Sequence, residues 1–487
     1  MSSTGDILES GEVARLIPVI ADSRREQRVS SVFLATISAV PGFAQVILSS
    51  IGVRLAKRAT IDTFTEVVLK GHKDAKDRPD GLIVVSSGKR SWKALIEAKI
   101  GNSPLDEDQV QRYLQLARDC DLDAVVTISN QFVVRPTHSP IKVHRTLTRK
   151  VDLFHFSWKS ILTEALLLQT RGDISDPDQA FILREFIRFL SHDSIGITGY
   201  DSMPKEWKDL VTLVKSGGTI SKSSREAESV VSGWHQEVRD LALRLSQELG
   251  ACVTLKLARS HASDADLLRK DDVAQFAARK RLEADISIPN AVSPLRMVAD
   301  LSTQTIRIGM QVDAPQDRKR GSARVNWLLR QLKTSENKQL FVRIVWPTRA
   351  PDTICRLEDL RENPSKVLAD ASSPPRGFEV FLLCDDSRKF AGRRTFIEEL
   401  ERAVPHFYEH VGQHLERWVP KPPKPIKSDE STEAHEGVQV GEHRRQLSSS
   451  ERTQITAGNQ HSKTLEIPRF LMRNPLNRPG FAGGSNS

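Results

Sequence analysis

Two carboxylates and a lysine stand within residues 80–99, on two short apolar runs, and Gln109 and Tyr113 follow on a helix-like stretch. These are the side chains needed to cut a phosphodiester with a divalent metal ion. Pro79-Asp80-Gly81 opens the run Leu82-Ile83-Val84-Val85, and Ala94-Leu95-Ile96-Glu97-Ala98-Lys99 forms the second run. Side chains alternate faces along a strand, so Glu97 and Lys99 point one way and Ala98 the other. If the runs pair across the turn 86–93, Asp80 at the start of one strand lies near Glu97 at the end of the next. Converging carboxylates offer the hard oxygen donors that Mg²⁺ or Mn²⁺ accepts.

Each of these residues also has a plainer reading. Pro-Asp-Gly is a common turn composition, which alone would explain Asp80. Glu97 and Lys99 could be a charged strand edge. Against that, Leu95, Ile96, Ala98 and Ile100 make the run apolar on both faces, as in a central strand. Charges at the end of such a strand are uncommon unless paired or bound to metal. Gln109 and Tyr113 are four apart on a helix and share a face. Glu66, in the preceding strand-like run 62–70, is an accessory candidate for a third acidic ligand, and a solvated strand face explains it equally well. Lys70, His72, Lys73, Lys76 and Arg78 form a basic loop before Asp80, and Lys89, Arg90 and Lys93 a second one in the turn. Both suit phosphate contacts. Both also suit solvated turns, and Asp74 and Asp77 partly cancel the first.

The order Pro79-Asp80, Glu97-Ala98-Lys99, then Gln109 and Tyr113 resembles the PD-(D/E)xK nuclease superfamily, in the branch with a QxxxY helix. The resemblance implies a restriction-endonuclease-like fold and a metal-dependent nuclease hydrolysing phosphodiester bonds, with DNA the first substrate to consider, in defence, repair or processing. It implies Asp80 and Glu97 as Mg²⁺ (or Mn²⁺) ligands, joined by the Ala98 carbonyl. Lys99 would lie beside the attacking water, Gln109 would position it from the helix, and Tyr113 would be accessory. The alternative keeps the fold without the reaction: a catalytically silent restriction-like module acting as a nucleic-acid-binding or protein-interaction scaffold.

The elements that must position these groups give an α/β reading. Helices at 32–39 and 43–51 precede strands near 62–70, 82–85 and 93–100; a helix at 106–119 and strands at 122–129 and 151–157 follow, with helices at 158–168 and 178–190. This order predicts a mixed sheet flanked by helices over residues 1–200. Residues 201–420 read as a separate α+β domain, with helices at 225–249, 323–332 and 394–418 and strands at 252–257, 284–288, 297–300, 305–312, 340–345 and 378–383. It holds no catalytic constellation, and target recognition or partner binding is its expected role. Its clusters Arg318-Lys319-Arg320 and Arg393-Arg394 suit nucleic acid or plain solvated loops. Residues 421–487 shift to Pro, Lys, Ser, Glu and Gln and predict a disordered tail, with an apolar-basic patch at 465–473 that could dock a protein partner.

At 487 residues the chain exceeds one ordinary domain. A net charge of +9 and a pI near 9.3 are compatible with nucleic acid but diffuse. Cys120, Cys252, Cys355 and Cys384 are far apart, form no CxxC pair, and read as reduced, mostly buried thiols. Residues 29–53 carry no charge and are long enough to span a bilayer, yet their serines and Pro41-Gly42 suit two buried helices, so no membrane association is expected. Residues 1–6 have no secretory features, which predicts a cytoplasmic protein.

Overall fold

The computed structural model describes residues 8–17, 24–72, 78–101, 103–333, 335, 337–347, 351–364, 368 and 373–420. The N-terminal part runs β1 (Leu8–Val13), α1 (Arg25–Ala39), α2 (Pro41–Ser49), β2 (Thr60–Leu69), β3 (Gly81–Ser87), β4 (Arg90–Ala98), α3 (Glu107–Asp119), β5 (Ala124–Ser129), β6 (Asp152–Ser157), α4 (Trp158–Arg171) and α5 (Pro177–Leu190). Its strands form one six-stranded sheet in sequence order. β1 to β4 pair antiparallel, and β4, β5 and β6 pair parallel. The parallel step from β4 to β5 needs a crossover, and α3 supplies it.

Both faces of this sheet are covered. Ile83, Val85, Ala94, Ile96 and Ala98 pack under α1, α2, α4 and α5. Leu82, Val84, Leu95 and Val125 pack on the other side with Val110, Tyr113 and Leu114 of α3. That two-sided burial is why β3 and β4 read as continuous apolar runs. Helices α1 and α2 meet at 106°, with Pro41 opening α2, and no single described helix is long and apolar enough to cross a membrane.

The chain continues through α6 (Glu206–Lys215), α7 (Arg225–Leu249), β7 (Thr254–Leu255), α8 (Arg259–Ser263), α9 (Ala265–Arg279), β8 (Arg281–Ser287), β9 (Leu295–Asp300), β10 (Thr305–Asp313), α10 (Gly321–Gln331), β11 (Leu340–Val345), β12 (Thr353–Arg356), α11 (Leu357–Glu362), β13 (Gly377–Cys384), α12 (Ser387–Ala391) and α13 (Arg393–His410). These strands form a seven-stranded antiparallel sheet in the order β12-β11-β13-β10-β9-β8-β7. One face of it carries a single core with α6, α7 and α9 to α13. The described residues form one compact unit, within which each sheet keeps its own core.

The mixed helix-flanked sheet and the helix-backed second sheet match the sequence reading. Some boundaries do not. The strand expected at 252–257 shrinks to Thr254–Leu255. The helix expected to reach 418 ends at His410 and passes into a short 3₁₀ turn, Gly412–His414, where the Gly412 backbone lies against the Tyr408 and Met310 side chains. β1, α9 and β12 have no counterpart in the sequence reading. All four cysteines are free, but only Cys384 is buried; Cys252 is exposed, because it lies in the turn that leaves α7. The tail expected at 421–487, with its patch at 465–473, lies outside the described residues.

Candidate functional site

The β3–β4 hairpin brings the proposed ligands together. Gly81 pairs with Ile96, so Asp80 sits one position beyond that pair, opposite Glu97. The backbone N–H of Ala98 donates to Asp80 Oδ2 at 2.8 Å, which ties the two strand ends to each other. Lys99 Nζ donates to Glu97 Oε1 at 2.6 Å. By strand alternation Asp80, Glu97 and Lys99 share the α3 side of the sheet with Leu82, Val84 and Leu95. The Lys99 backbone is itself clamped, its N–H donating to the Ile128 carbonyl at 2.8 Å and its carbonyl accepting from Trp158 Nε1 at 2.9 Å.

Helix α3 closes this side. Asp106 caps it, accepting from the backbone N–H groups of Asp108 and Gln109, which fixes where its first turn begins. Gln109 Nε2 donates to the Tyr113 hydroxyl at 3.1 Å, and that hydroxyl donates to the Arg78 carbonyl at 2.9 Å. The Gln/Tyr pair thereby braces the segment that delivers Asp80. Tyr113 is 1% exposed, and burial followed by the Glu97 charge raises its phenol well above the ordinary value, against the opposing hydrogen bond from Gln109.

A fourth group joins from an element that sequence reasoning passed over. Glu26, in the first turn of α1, accepts from the Ile100 N–H at 3.3 Å and stands 3.8 Å from Lys99 Nζ. No local motif marks it. Its sequence signal is its place in the first turn of the helix between β1 and α2.

Electrostatics follow from crowding carboxylates around one amine. Burial, then the Asp80 charge, pushes Glu97 up to about 8, against the opposing pull of Lys99. Burial pushes Asp80 up to about 6, with Glu26 and Glu66 adding to it and the Ala98 N–H and Lys99 opposing. Burial pulls the Lys99 amine down, but Glu97, Asp80 and Glu26 together more than reverse this and leave it above the ordinary lysine value. Strong desolvation plus like charge in one cluster makes these residues the candidate functional site.

Glu66 is exposed at a β-bulge in β2. Phe64 before it and Val67 and Leu69 after it all pack on the α3 side, which a regular strand cannot do. Glu66 is the extra residue, with φ of +51°, and the β1–β2 register shifts beside it. The bulge sets Glu66 next to Asp80, whose titration it influences. Lys70 and Arg78, both exposed, flank the same end of the sheet. Lys89 and Arg90 do not join them. They lie in the β3–β4 turn, six residues along the strand from the Gly81–Ile96 pair, about 20 Å away. Closeness in sequence misled here, because a hairpin's turn is at the opposite end from its open strand termini. Lys73 lies outside the described residues.

Comparison with protein-family models, with curated proteins and with solved structures finds no match to this chain. Among the described residues no group of three or more His, Cys, Asp or Glu side chains is placed to hold a metal ion. Glu97 is buried and Asp80 half-buried, and two such carboxylates are hard oxygen donors of the kind Mg²⁺ accepts once they are ionised. That ion keeps several waters and is commonly held by one or two carboxylates.

Proposed function

We propose that the chain is a metal-dependent nuclease with a restriction-endonuclease-like N-terminal domain, hydrolysing phosphodiester bonds, in DNA in the first instance. The observation that carries this reading is the placement of Asp80 opposite Glu97 with the Lys99 amine 2.6 Å from Glu97 on the same face. Asp80 and Glu97 would hold Mg²⁺ or Mn²⁺, which when bound lowers the pKa of its water and offsets charge on the phosphate. Lys99 is the cation that pairs with these carboxylates among the described residues. Its amine orients the attacking water and stabilises negative charge that builds on the phosphoryl oxygens. Gln109 and Tyr113 hold the Asp80 strand in register through the Arg78 carbonyl, and Glu26 keeps the lysine aligned from the other side. Lys70 and Arg78 stand where phosphates flanking the cut would pass.

The test incubates purified protein with supercoiled plasmid, linear duplex and single strands, with Mg²⁺ or Mn²⁺ and with chelator. Cleavage should need the metal. Lys99→Ala should lose at least a hundredfold in rate while retaining metal binding, whereas Asp80→Ala should lose both. Equal cleavage by wild-type protein and Lys99→Ala would end this assignment.

A further inference from the structure

The seven-stranded sheet has a second face that no described helix covers. Alternation is strict: Ile306, Ile308, Met310 and Val312 of β10 enter the core, as do Phe378, Val380 and Leu382 of β13 and Leu340, Val342 and Ile344 of β11. The intervening residues therefore look outward. The described helices α6, α7 and α9 to α13 all place side chains in the core on the opposite side. An antiparallel sheet with one open face usually shows a mixed polar surface there. This one carries an arginine on each of β8 to β12, Arg281, Arg296, Arg307, Arg343 and Arg356; Arg281 and Arg296 are paired with Asp300 and Glu283, so the excess of positive charge lies toward β10, β11 and β12.

At its centre lies an aromatic ledge. Phe341 and Phe381 are cross-strand partners whose rings stack at 5.6 Å and 14°. Phe381 is buried and backs the pair; Phe341 is partly exposed. Gly309 pairs with Phe381 on the other flank, where an added Cβ would stand 2.7 Å from the Phe381 Cβ, so this position stays without a side chain. Arg307 lies over the Phe381 ring at 5.4 Å and Arg356 over the Phe341 ring at 5.7 Å. The rows around this pair hold Arg307, Arg343 and Arg356 against one carboxylate, Glu379, which lies 3.9 and 3.2 Å from the first two. Among the described residues Arg356 has no carboxylate partner, and Ile354 beside it on the same edge strand is 55% exposed.

We infer that this face binds single-stranded nucleic acid, as a site separate from the carboxylate cluster. Charge complementarity selects an anionic partner, and the flat ring at the centre selects one whose units can stack. Unpaired nucleotides meet both demands, since each base offers a π-face and each phosphate a charge. A base stacks on Phe341 in the place held by the Arg356 guanidinium, which is exposed and turns to a phosphate. Arg307 and Arg343 serve the neighbouring phosphates without leaving Glu379 uncompensated.

Fluorescence anisotropy on the full chain, in chelator, with labelled dT and rU oligonucleotides and with a duplex of equal length, tests this. The two single-stranded arms show whether the sugar is discriminated. Phe341→Leu, which keeps apolar volume, should weaken single-strand binding about tenfold. Arg356→Ala, at an exposed position, should lower the salt-dependence slope by about 0.7. Both variants should keep the melting temperature of the parent. Unchanged affinity in both would overturn the inference, as would a duplex bound as tightly and with the same sensitivity to Phe341→Leu. Displacement of the oligonucleotide by polyglutamate at equal concentration would overturn it too, because an acidic polypeptide would then be the fitting partner. Chelator keeps hydrolysis out of the measurement. Loss of this binding with cleavage intact would leave the nuclease reading standing, and absence of cleavage with this binding intact would leave the present one.

Discussion

Lys99 is surrounded by carboxylates from three different elements, Glu97 beside it in sequence, Asp80 on the next strand and Glu26 on α1. Burial raises Asp80 and Glu97 first, and the carboxylates that one amine cannot compensate add to it. A folded-state pKa above the unfolded one means stability that is present in acid and lost as pH rises. The metal-free protein should therefore lose stability between about pH 4 and pH 8, as first Asp80 and then Glu97 is forced to ionise. Added Mg²⁺ should raise the melting temperature more at pH 8.5 than at pH 5.5, since the ligands must be deprotonated to hold it. Differential scanning fluorimetry at the two values reads this directly. Glu97→Gln removes one buried charge, so it should raise the metal-free melting temperature at pH 8.5 by a few degrees while abolishing cleavage. A lower melting temperature in that variant would mean that Glu97 is a structural partner of Lys99 and not a stored charge.

At the scale of elements, the bulge in β2 and the packing of β6 carry consequences. Glu66 occupies the left-handed region inside a strand, at a cost of order 1 kcal/mol for a residue with a side chain. Glu66→Gly should leave stability unchanged or improve it. Glu66→Val should lose about 2 kcal/mol, measured by denaturant unfolding, because a β-branched residue resists that conformation more. His155 on β6 has the opposite electrostatic sense to the site. It is fully buried, with Nδ1 2.9 Å from the Thr127 hydroxyl and Nε2 2.9 Å from the Gln131 carbonyl, and burial pushes its pKa down to about 4. The carbonyl can only accept, so Nε2 carries the proton. A depressed histidine is stabilising above the unfolded value and that contribution fades as pH falls from about 6.5 toward 4. The His155 imidazole signal in NMR should accordingly stay that of the neutral ring down to about pH 5.

At the scale of the molecule, α4 and α7 join the two sheets' halves. Lys159 of α4, mostly buried, pairs with Asp240 of α7, which is 1% exposed. Gln247 Nε2 donates to Thr163 Oγ1 at 2.7 Å, and the Phe132 N–H donates to Gln236 Oε1 at 3.2 Å. Nearby Glu237 is fully buried, neither of its oxygens has a hydrogen-bond partner among the described residues, and burial followed by Asp240 raises its pKa well above the usual range. Lys159→Ala would strand Asp240 beside that acid without its ion-pair partner, a loss of about 3–5 kcal/mol. Because the pair spans the two halves, both should melt together in wild-type protein, and calorimetry of Lys159→Ala should show the transition lowered or split in two.

What could be read in the chain before folding was what neighbours along it decide. The hairpin of β3 and β4 puts Asp80 opposite Glu97 because its register runs back from a tight turn, and strand alternation puts Lys99 on the same side. Gln109 and Tyr113 share a helix face for an equally local reason. The two-sided apolar character of β4 announced helices on both faces of its sheet. Tertiary structure alone decided the rest. It carried Glu26 from α1 to Lys99, set Lys89 and Arg90 at the far end of the hairpin, and bulged β2 at Glu66. It also left one face of the second sheet without a covering helix among the described residues, with arginines and an aromatic pair from distant strands in adjacent rows. Those arrangements depend on which strands pair and which faces are buried across the whole chain, and that free energy is not written in any short window of residues.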